Sequence, residues 1–406
     1  MTNVPEIRFK GFTDAWEQRK LGELAEHFEY GLNAAATDFD GTNKYIRITD
    51  IDDDSREFKN DSLTSPNFDL DSADNYTLNE GDILFARTGA SVGKTYRYKK
   101  TDGLVYYAGF LIRARIKTDY DTDFVFQNTL TSEYDNFIKI TSQRSGQPGV
   151  NAQEYSGFEI MIPQDKTEQT RIGAFFRTLD TTITLYKRKL DGLKRLKSAY
   201  LQQMFPQAGE SVPKVRFEGF AEPWQTQKIN ELVTLTVREV PKPTEPYKRI
   251  SVRSHAKGTF HQIVDDPNKV AMDNLYVVHE NDLIVNITFA WEHAIAIVTK
   301  QDHGLLVSHR FPTYVINKSD VNFLRILVTQ ETFRQKLELI SPGGAGRNRV
   351  LNKNDFANLE LIVPCKDEQT VIGRFFNALD NQITAQTQKL EQLGRLKGAY
   401  LQKMFI

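Results

Sequence analysis

Glu168 to Phe205 reads EQTRIGAFFRTLDTTITLYKRKLDGLKRLKSAYLQQMF, and Glu368 to Phe405 reads EQTVIGRFFNALDNQITAQTQKLEQLGRLKGAYLQKMF. About 23 of the 38 positions are identical, which marks a duplicated structural unit. Apolar residues fall at Ile172, Phe176, Leu179, Ile183, Tyr186, Leu190, Leu193, Tyr200 and Met204, mostly three and four apart. Ile372, Phe376, Leu379, Ile383, Leu390, Leu393, Tyr400 and Met404 repeat the pattern. Such spacing gives each segment one narrow apolar stripe, the seam of a coiled coil. Lys197 and Lys397 occupy seam positions beside Leu196 and Leu396, where they either fix the register of the pair or, as expected here, let their long stems snorkel to the surface. No proline interrupts either segment, so at 1.5 Å per residue each helix can run roughly 50–57 Å. Two like stripes in one chain predict that the helices pack on each other as an antiparallel coiled coil.

Working outward, VPEIRFKGFTDAWEQRKLGEL (Val4–Leu24) recurs as VPKVRFEGFAEPWQTQKINEL (Val212–Leu232). Trp16 and Trp224 read as packing anchors of this lead-in. The repeat unit is therefore lead-in, variable region and long helix, used twice with pseudo-two-fold character. Pro206 and Pro213 bracket the break between the units, since proline stops the helix and begins an extended connector. The variable regions share organisation more than residues. NEGDILFARTGASVGKTYRY (79–98) aligns with HENDLIVNITFAWEHAIAIV (279–298), each an acidic turn, a strand, a loop and a second strand. YYAGFLIRARI (106–116) matches LVSHRFPTYVI (306–316), and short helices are expected over 131–140 and 329–340. Loops rich in glycine and arginine follow at 141–151 and 341–352, and a last strand feeds each long helix. β-Branched and aromatic runs predict an α+β chain with two domains of mixed sheet. Its segments are residues 1–163, helix 164–206, residues 207–364 and helix 365–406.

The 406 residues are 40% hydrophobic and 26% charged, ordinary for a globular chain of two or three domains. No apolar run approaches a membrane span and the first residues lack a signal peptide's core, so a cytoplasmic protein is expected. The single cysteine, Cys365, excludes an intrachain disulfide and a multi-cysteine metal site. A net charge of −1 means that any DNA surface must come from local clustering of Lys and Arg. The acid-rich span from Asp50 to Asp82 reads as a solvated outer face. Gly89-Ala-Ser-Val-Gly93-Lys94-Thr95 resembles a P-loop, but only three residues separate the glycines and a strand follows instead of a helix. It fits better as a loop offering backbone N–H groups, Arg87 and Lys94 to a DNA phosphate or base edge. Six of the seven histidines lie in the second variable region without HxxxH or HExxH spacing, so no metal is expected. The Asn-Pro-Pro-aromatic and Asp-Pro-Pro-aromatic tetrapeptides of amino-methyltransferases, a nucleophile elbow and spaced carboxylates are all absent. Those absences weigh against an enzyme.

Two variable halves with near-identical long helices, GDILFARTGASVGK, a Gly/Arg loop before the strand ending at Pro163, and EQxxIGxFFxxLD resemble the specificity subunit of type I restriction–modification enzymes. The resemblance spans essentially the whole chain; NITFAWEHAIAIV departs from the family's glycine-rich loop. It implies two target recognition domains, each reading one half of a bipartite asymmetric site in double-stranded DNA. It implies helices that act as spacer and dock two adenine-N6 methyltransferase subunits, with restriction subunits joining. S-adenosylmethionine, ATP and Mg are then expected on those partners, with no cofactor on this chain. The DNA-contact candidates are Arg87, Lys94, Arg144 and Gln147 in the first half, and Arg253, Asn286, Trp291, Arg310, Arg347 and Arg349 in the second. The identical patches containing Glu168, Gln169, Glu368 and Gln369 are candidates for methyltransferase docking, or else simply first turns of helices. A stand-alone DNA-binding protein and a coiled-coil scaffold without a DNA role are the alternatives.

If the long helices act as a ruler, four residues added after both Leu190 and Leu390 lengthen each by about 6 Å. At about 3.4 Å per base pair that is at most about two base pairs. Such an insertion locally unwinds the supercoil without destroying its seam. The expected outcome is a methylated motif with one or two extra spacer base pairs and both half-sites unchanged, read by sequencing methylated adenine. Robust methylation at the original spacing overturns the ruler.

Overall fold

The computed structural model describes residues 3–144, 146–207, 209–341 and 349–406. They fall into two compact units, residues 1–190 with 386–406, and residues 191–385. The division runs through both long helices, Lys166–Gln203 and Lys366–Met404, and not at the helix ends that the sequence suggests. Each unit thus contains the first part of one helix and the last part of the other.

The centre of the first unit is a four-stranded antiparallel sheet in the order Ala25–Tyr30, Leu111–Ile116, Asp82–Ala86, Thr95–Arg97. Successive side chains of a strand point to opposite faces, and Asp82–Ala86 is buried on both. Ile83 and Phe85 face a core that contains Trp16, Ile172 and Phe176. Leu84 and Ala86 face a second core with Ile46, Tyr96 and Tyr107. The second unit repeats the order with Val233–Thr236, Thr313–Ile316, Leu283–Val285 and Ile295–Ile297. There, Leu283 and Val285 face one core and Ile284 the other. Parallel pairing lies outside these central sheets, as a separate two-stranded sheet in the first unit and within the five-stranded sheet of the second. Lys44–Ile46 pairs with Val105–Tyr107, and Tyr247–Val252 pairs with Leu306–Val307. The lead-ins supply short strands, Glu17–Lys20 and Gln225–Lys228, antiparallel to Glu159–Ile162 and Glu360–Val363.

The duplicated EQxxIG sequence is a cradle. Glu168 receives two hydrogen bonds from the Arg8 guanidinium of the lead-in, at 2.6 and 2.7 Å, and Glu368 receives two from Arg216 at 2.7 and 2.8 Å. Gln169 donates to the Pro163 carbonyl and accepts from the Asp121 backbone N–H, at 2.9 and 3.0 Å. Gln369 does the same with Pro364 and Asp320, at 2.9 and 3.1 Å. Asp121 and Asp320 in turn cap the short helices Thr122–Asn128 and Val321–Leu327. Those capped ends press on Gly173 and Gly373. A Cβ on Gly173 would lie 2.3 Å from Asp121 Oδ1 and 2.9 Å from the Phe124 nitrogen. One on Gly373 would lie 2.4 Å from Asp320 Oδ1 and 2.8 Å from the Phe323 nitrogen. Glu168, Gln169, Glu368 and Gln369 are all at most 2% exposed, which corrects their placing on a docking surface. A buried carboxylate must be paired, and the lead-in arginine provides the pair.

The apolar stripe of the helices divides its work. Ile172 and Phe176 complete the core of the first unit, and Ile372 and Phe376 that of the second. Within the first unit, Phe175 meets Tyr400 edge-on at 5.0 Å and Lys397 pairs with Asp180 at 2.6 Å, so the helix segments run antiparallel. Within the second unit, Tyr200 meets Phe375 at 5.0 Å and Lys197 pairs with Asp380. Lys197 and Lys397 are therefore ion-paired across the helices instead of snorkelling free, because an Asp faces each from the opposite segment. Each lead-in tryptophan packs on the end of a helix. Trp16 contacts Phe405 and Phe124, and Trp224 contacts Phe205 and Phe323. The acid-rich span is solvated only in part. Asp53, Asp54, Asp61, Asp69, Asp71 and Asp74 are exposed, but Asp50 and Asp82 are buried beside Arg47 and Arg115. Asp52 pairs with Lys187 at 3.1 Å, and its hydrogen bonds and that ion pair hold it well below the usual carboxylate range despite burial.

Alanine in place of a mid-helix glycine ordinarily stabilises by about 0.5–1 kcal/mol. Gly192→Ala, where nothing lies within 4 Å of the added methyl, should show that gain. Gly173→Ala should instead lose about 1–3 kcal/mol, because the methyl overpacks against backbone. Urea unfolding of the two variants gives the comparison, and equal effects would refute the cradle.

Candidate nucleic-acid interface

At one edge of the central sheet in the first unit, three loops converge. The first follows strand Asp82–Ala86, the second precedes Leu111–Ile116, and the third follows helix Ser132–Thr141. Their joint is backbone. The Arg87 N–H donates to the Phe110 carbonyl at 3.1 Å, and the Arg87 carbonyl accepts from the Val150 N–H at 2.9 Å. The Gly89 N–H donates to the Pro148 carbonyl at 3.0 Å. The buried Tyr155 hydroxyl stitches both ends of the first loop, donating to the Ala86 carbonyl at 2.6 Å and accepting from the Gly93 N–H at 3.2 Å. Burial pushes that phenol above its ordinary value, so it stays a donor.

The second unit has the same joint from different residues. The Ile287 N–H donates to the Arg310 carbonyl at 3.0 Å, and the Ile287 carbonyl accepts from the Leu351 N–H at 2.8 Å. The first loop ends at His293 in the left-handed region (φ 63°), where the first unit has Gly93 (φ 85°). His293 holds that conformation through a 2.6 Å hydrogen bond between Nε2 and the Val328 carbonyl, and burial lowers its pKa, favouring the neutral ring. A further turn joins this cluster. The His255 and Ala256 N–H groups donate to the carbonyls of Glu292 and His293, both at 2.8 Å, which brings the Arg253 turn beside the Trp291 loop.

The candidate side chains separate on this frame. Arg87 and Gln147 lie in the first cluster, with Gln147 Nε2 near Gly89. The Arg87 guanidinium sits over the rings of Tyr30 and Phe110, 5.1 and 5.8 Å from their centroids. Arg310 is exposed at the second cluster. Arg349 stacks on Trp291 at 5.2 Å and Arg253 on Phe260 at 5.4 Å. Two candidates are corrected. Lys94 is 6% exposed, bonded to the Ile51 carbonyl and paired with Asp53 at 2.5 Å, so it anchors the loop from below. Asn286 is 7% exposed and accepts from the Thr288 N–H at 3.1 Å, which shapes the turn. Arg144 is exposed but bonded to the Thr141 and Gln143 carbonyls at a helix end and paired with Glu154. Arg347 lies outside the described residues. Sequence reasoning missed Tyr30, Phe110 and Phe289, which are 44%, 59% and 45% exposed. A large aromatic next to glycine at a strand end, as in Tyr30-Gly31 and Gly109-Phe110, was the available signal. Among the described residues no group of His, Cys, Asp or Glu could hold a metal ion, and no helix is long and apolar enough to cross a membrane. The clusters offer stacked guanidinium groups and aromatic rings on fixed backbone. That suits the planar edges of nucleic-acid bases.

Known proteins share this organisation. The family model of the type I restriction modification DNA specificity domain matches residues 13–195 and again 221–395. A Methanocaldococcus jannaschii protein named as the MjaX type I restriction enzyme specificity subunit is 20% identical over 97% of this chain and 94% of its own length. The crystal structure of the type I restriction–modification S subunit from M. genitalium superposes with a TM-score of 0.64 at 12% identity, over 99% of each chain. With both repeats matched, the chain belongs to the family of type I restriction–modification DNA specificity subunits, the non-catalytic components that give such systems their sequence specificity.

Proposed function

We propose that each of the two loop clusters reads one half of a bipartite, asymmetric site in double-stranded DNA. The observation that carries this reading is the shared backbone joint with unlike side chains. Arg87, Phe110 and Val150 in one unit stand where Ile287, Arg310 and Leu351 stand in the other, on the same hydrogen bonds. A scaffold held constant under changed side chains is what two readers of different base patterns require. The assembly reading goes with it: two adenine-N6 methyltransferase subunits dock on the duplicated helices and restriction subunits join them. Leu196 and Leu396, at equivalent places on the two helices, are 43% and 44% exposed and support a surface used twice. S-adenosylmethionine, ATP and Mg belong to those partners, and the complex works in the cytoplasm. A net charge of −1 gives this chain little sequence-blind hold on phosphate, which favours action with partners over a stand-alone DNA-binding protein.

Residues 25–163 form the variable body of the first unit. Replacing them by the matching region of a relative should change one half of the methylated motif and leave the other intact. Sequencing methylated adenine in cells that carry the chain with its methyltransferase supplies the readout. A change in both halves together would defeat the two-reader reading.

A further inference from the structure

The two clusters exchange one cation for one apolar residue across the same hydrogen bond. In the first unit the donor side of that bond is Arg87 and the acceptor side Phe110; in the second they are Ile287 and Arg310. Neither Arg87 nor Arg310 has an acidic partner within ion-pair distance among the described residues. Arg87 is held on both sides through its backbone, and its guanidinium lies over the Tyr30 and Phe110 rings. Stacking occupies the faces of a guanidinium and leaves its in-plane N–H fork for a planar acceptor pair. In the major groove that pair is O6 and N7 of guanine. A phosphate also accepts two hydrogen bonds, but the exchange argues against it. The phosphate backbone is alike in both half-sites, so a contact that only positions the duplex gains nothing by moving from one residue to its neighbour. A contact that reads a base must move when the base does. The exposed rings beside Arg87 also suit base edges, such as a thymine methyl, better than a charged backbone.

We propose that Arg87 reads a guanine in the half-site of the first unit, and that Arg310 takes that role in the second from the facing position. This rests on the two-reader function above. The test uses the full chain co-expressed with its methyltransferase, with the first half-site assigned by the 25–163 replacement. Arg87→Gln should relax one G·C position of the first half by about ten-fold or more and leave the second half unchanged. Arg87→Lys, which keeps the charge but loses the fork, should relax the same position. Arg310→Gln should relax one G·C position of the second half only. Methylation that falls without any change of motif would mean that Arg87 serves the backbone or the loop, and the proposal would be wrong. A first half-site with no G·C pair would also overturn it while leaving the two-reader function standing. Loss of both halves on the 25–163 replacement would instead strike at that function. If Arg87→Gln does not fold, the wild-type complex is titrated with motif duplexes in which each guanine in turn is 7-deazaguanine, which lacks N7. Binding should fall about ten-fold or more at one guanine of the first half, and indifference at every guanine there refutes the reading.

Discussion

Each half of the molecule depends on the missing side chain at Gly173 or Gly373. Because no Cβ intervenes, the capped end of a short helix lies directly against the long one, and Asp121 or Asp320 presents its N–H to a buried glutamine. The short helix carries Phe124 or Phe323 into the core below the sheet, and the lead-in tryptophan packs on that ring. The Arg–Glu pair then binds the lead-in to the first turn of the long helix. Helix, lead-in and globular body are thereby fixed before any loop is considered. Breaking one partner of such a pair typically costs 3–5 kcal/mol, because a charge is left buried alone.

The repeat, the succession of strands along the chain and the long helices were legible in the sequence, because periodicity and self-similarity can be read without knowing any tertiary contact. Neither the order of strands within each sheet nor the fate of Glu168 was legible there. A glutamate in a helix's first turn reads as a solvated charge that complements the dipole, and only the arginine 160 residues upstream makes its burial possible. Lys94 misled for the same reason: its partner, Asp53, lies in a stretch whose composition suggested a wet surface. Arg87 could be placed in a loop but not between two rings, since Tyr30 ends one strand and Phe110 lies in the turn just before the strand that pairs with it. What sequence reading captured was which segments would be loops. What it missed was which charges already had internal partners.

The division of labour between frame and edge has a chemical logic. Main-chain hydrogen bonds at the loop joint are indifferent to side chains, so the joint persists from one unit to the other while its residues change from Arg to Ile and from Phe to Arg. The buried polar supports follow no such rule. Tyr155 secures the first joint through its hydroxyl, whereas Phe356 packs in the corresponding core and His293 takes over the anchoring. Two solutions to one geometric demand have thus arisen beneath a common backbone.

The packing of Met404 and Phe405 into the core of the first unit bears on biosynthesis. Translation delivers the strands of that unit early, yet the residues that finish its core leave the ribosome more than two hundred positions after Ile162. At about 5–20 residues per second the nascent unit waits on the order of ten to fifty seconds with apolar surface uncovered. The second unit waits far less, because Met204 and Phe205 precede its body and are at hand as its strands emerge. Order of synthesis and order of completion are therefore reversed. The first unit to be synthesised is thus the last to be completed, and until then its uncovered apolar surface is of the kind that chaperones bind.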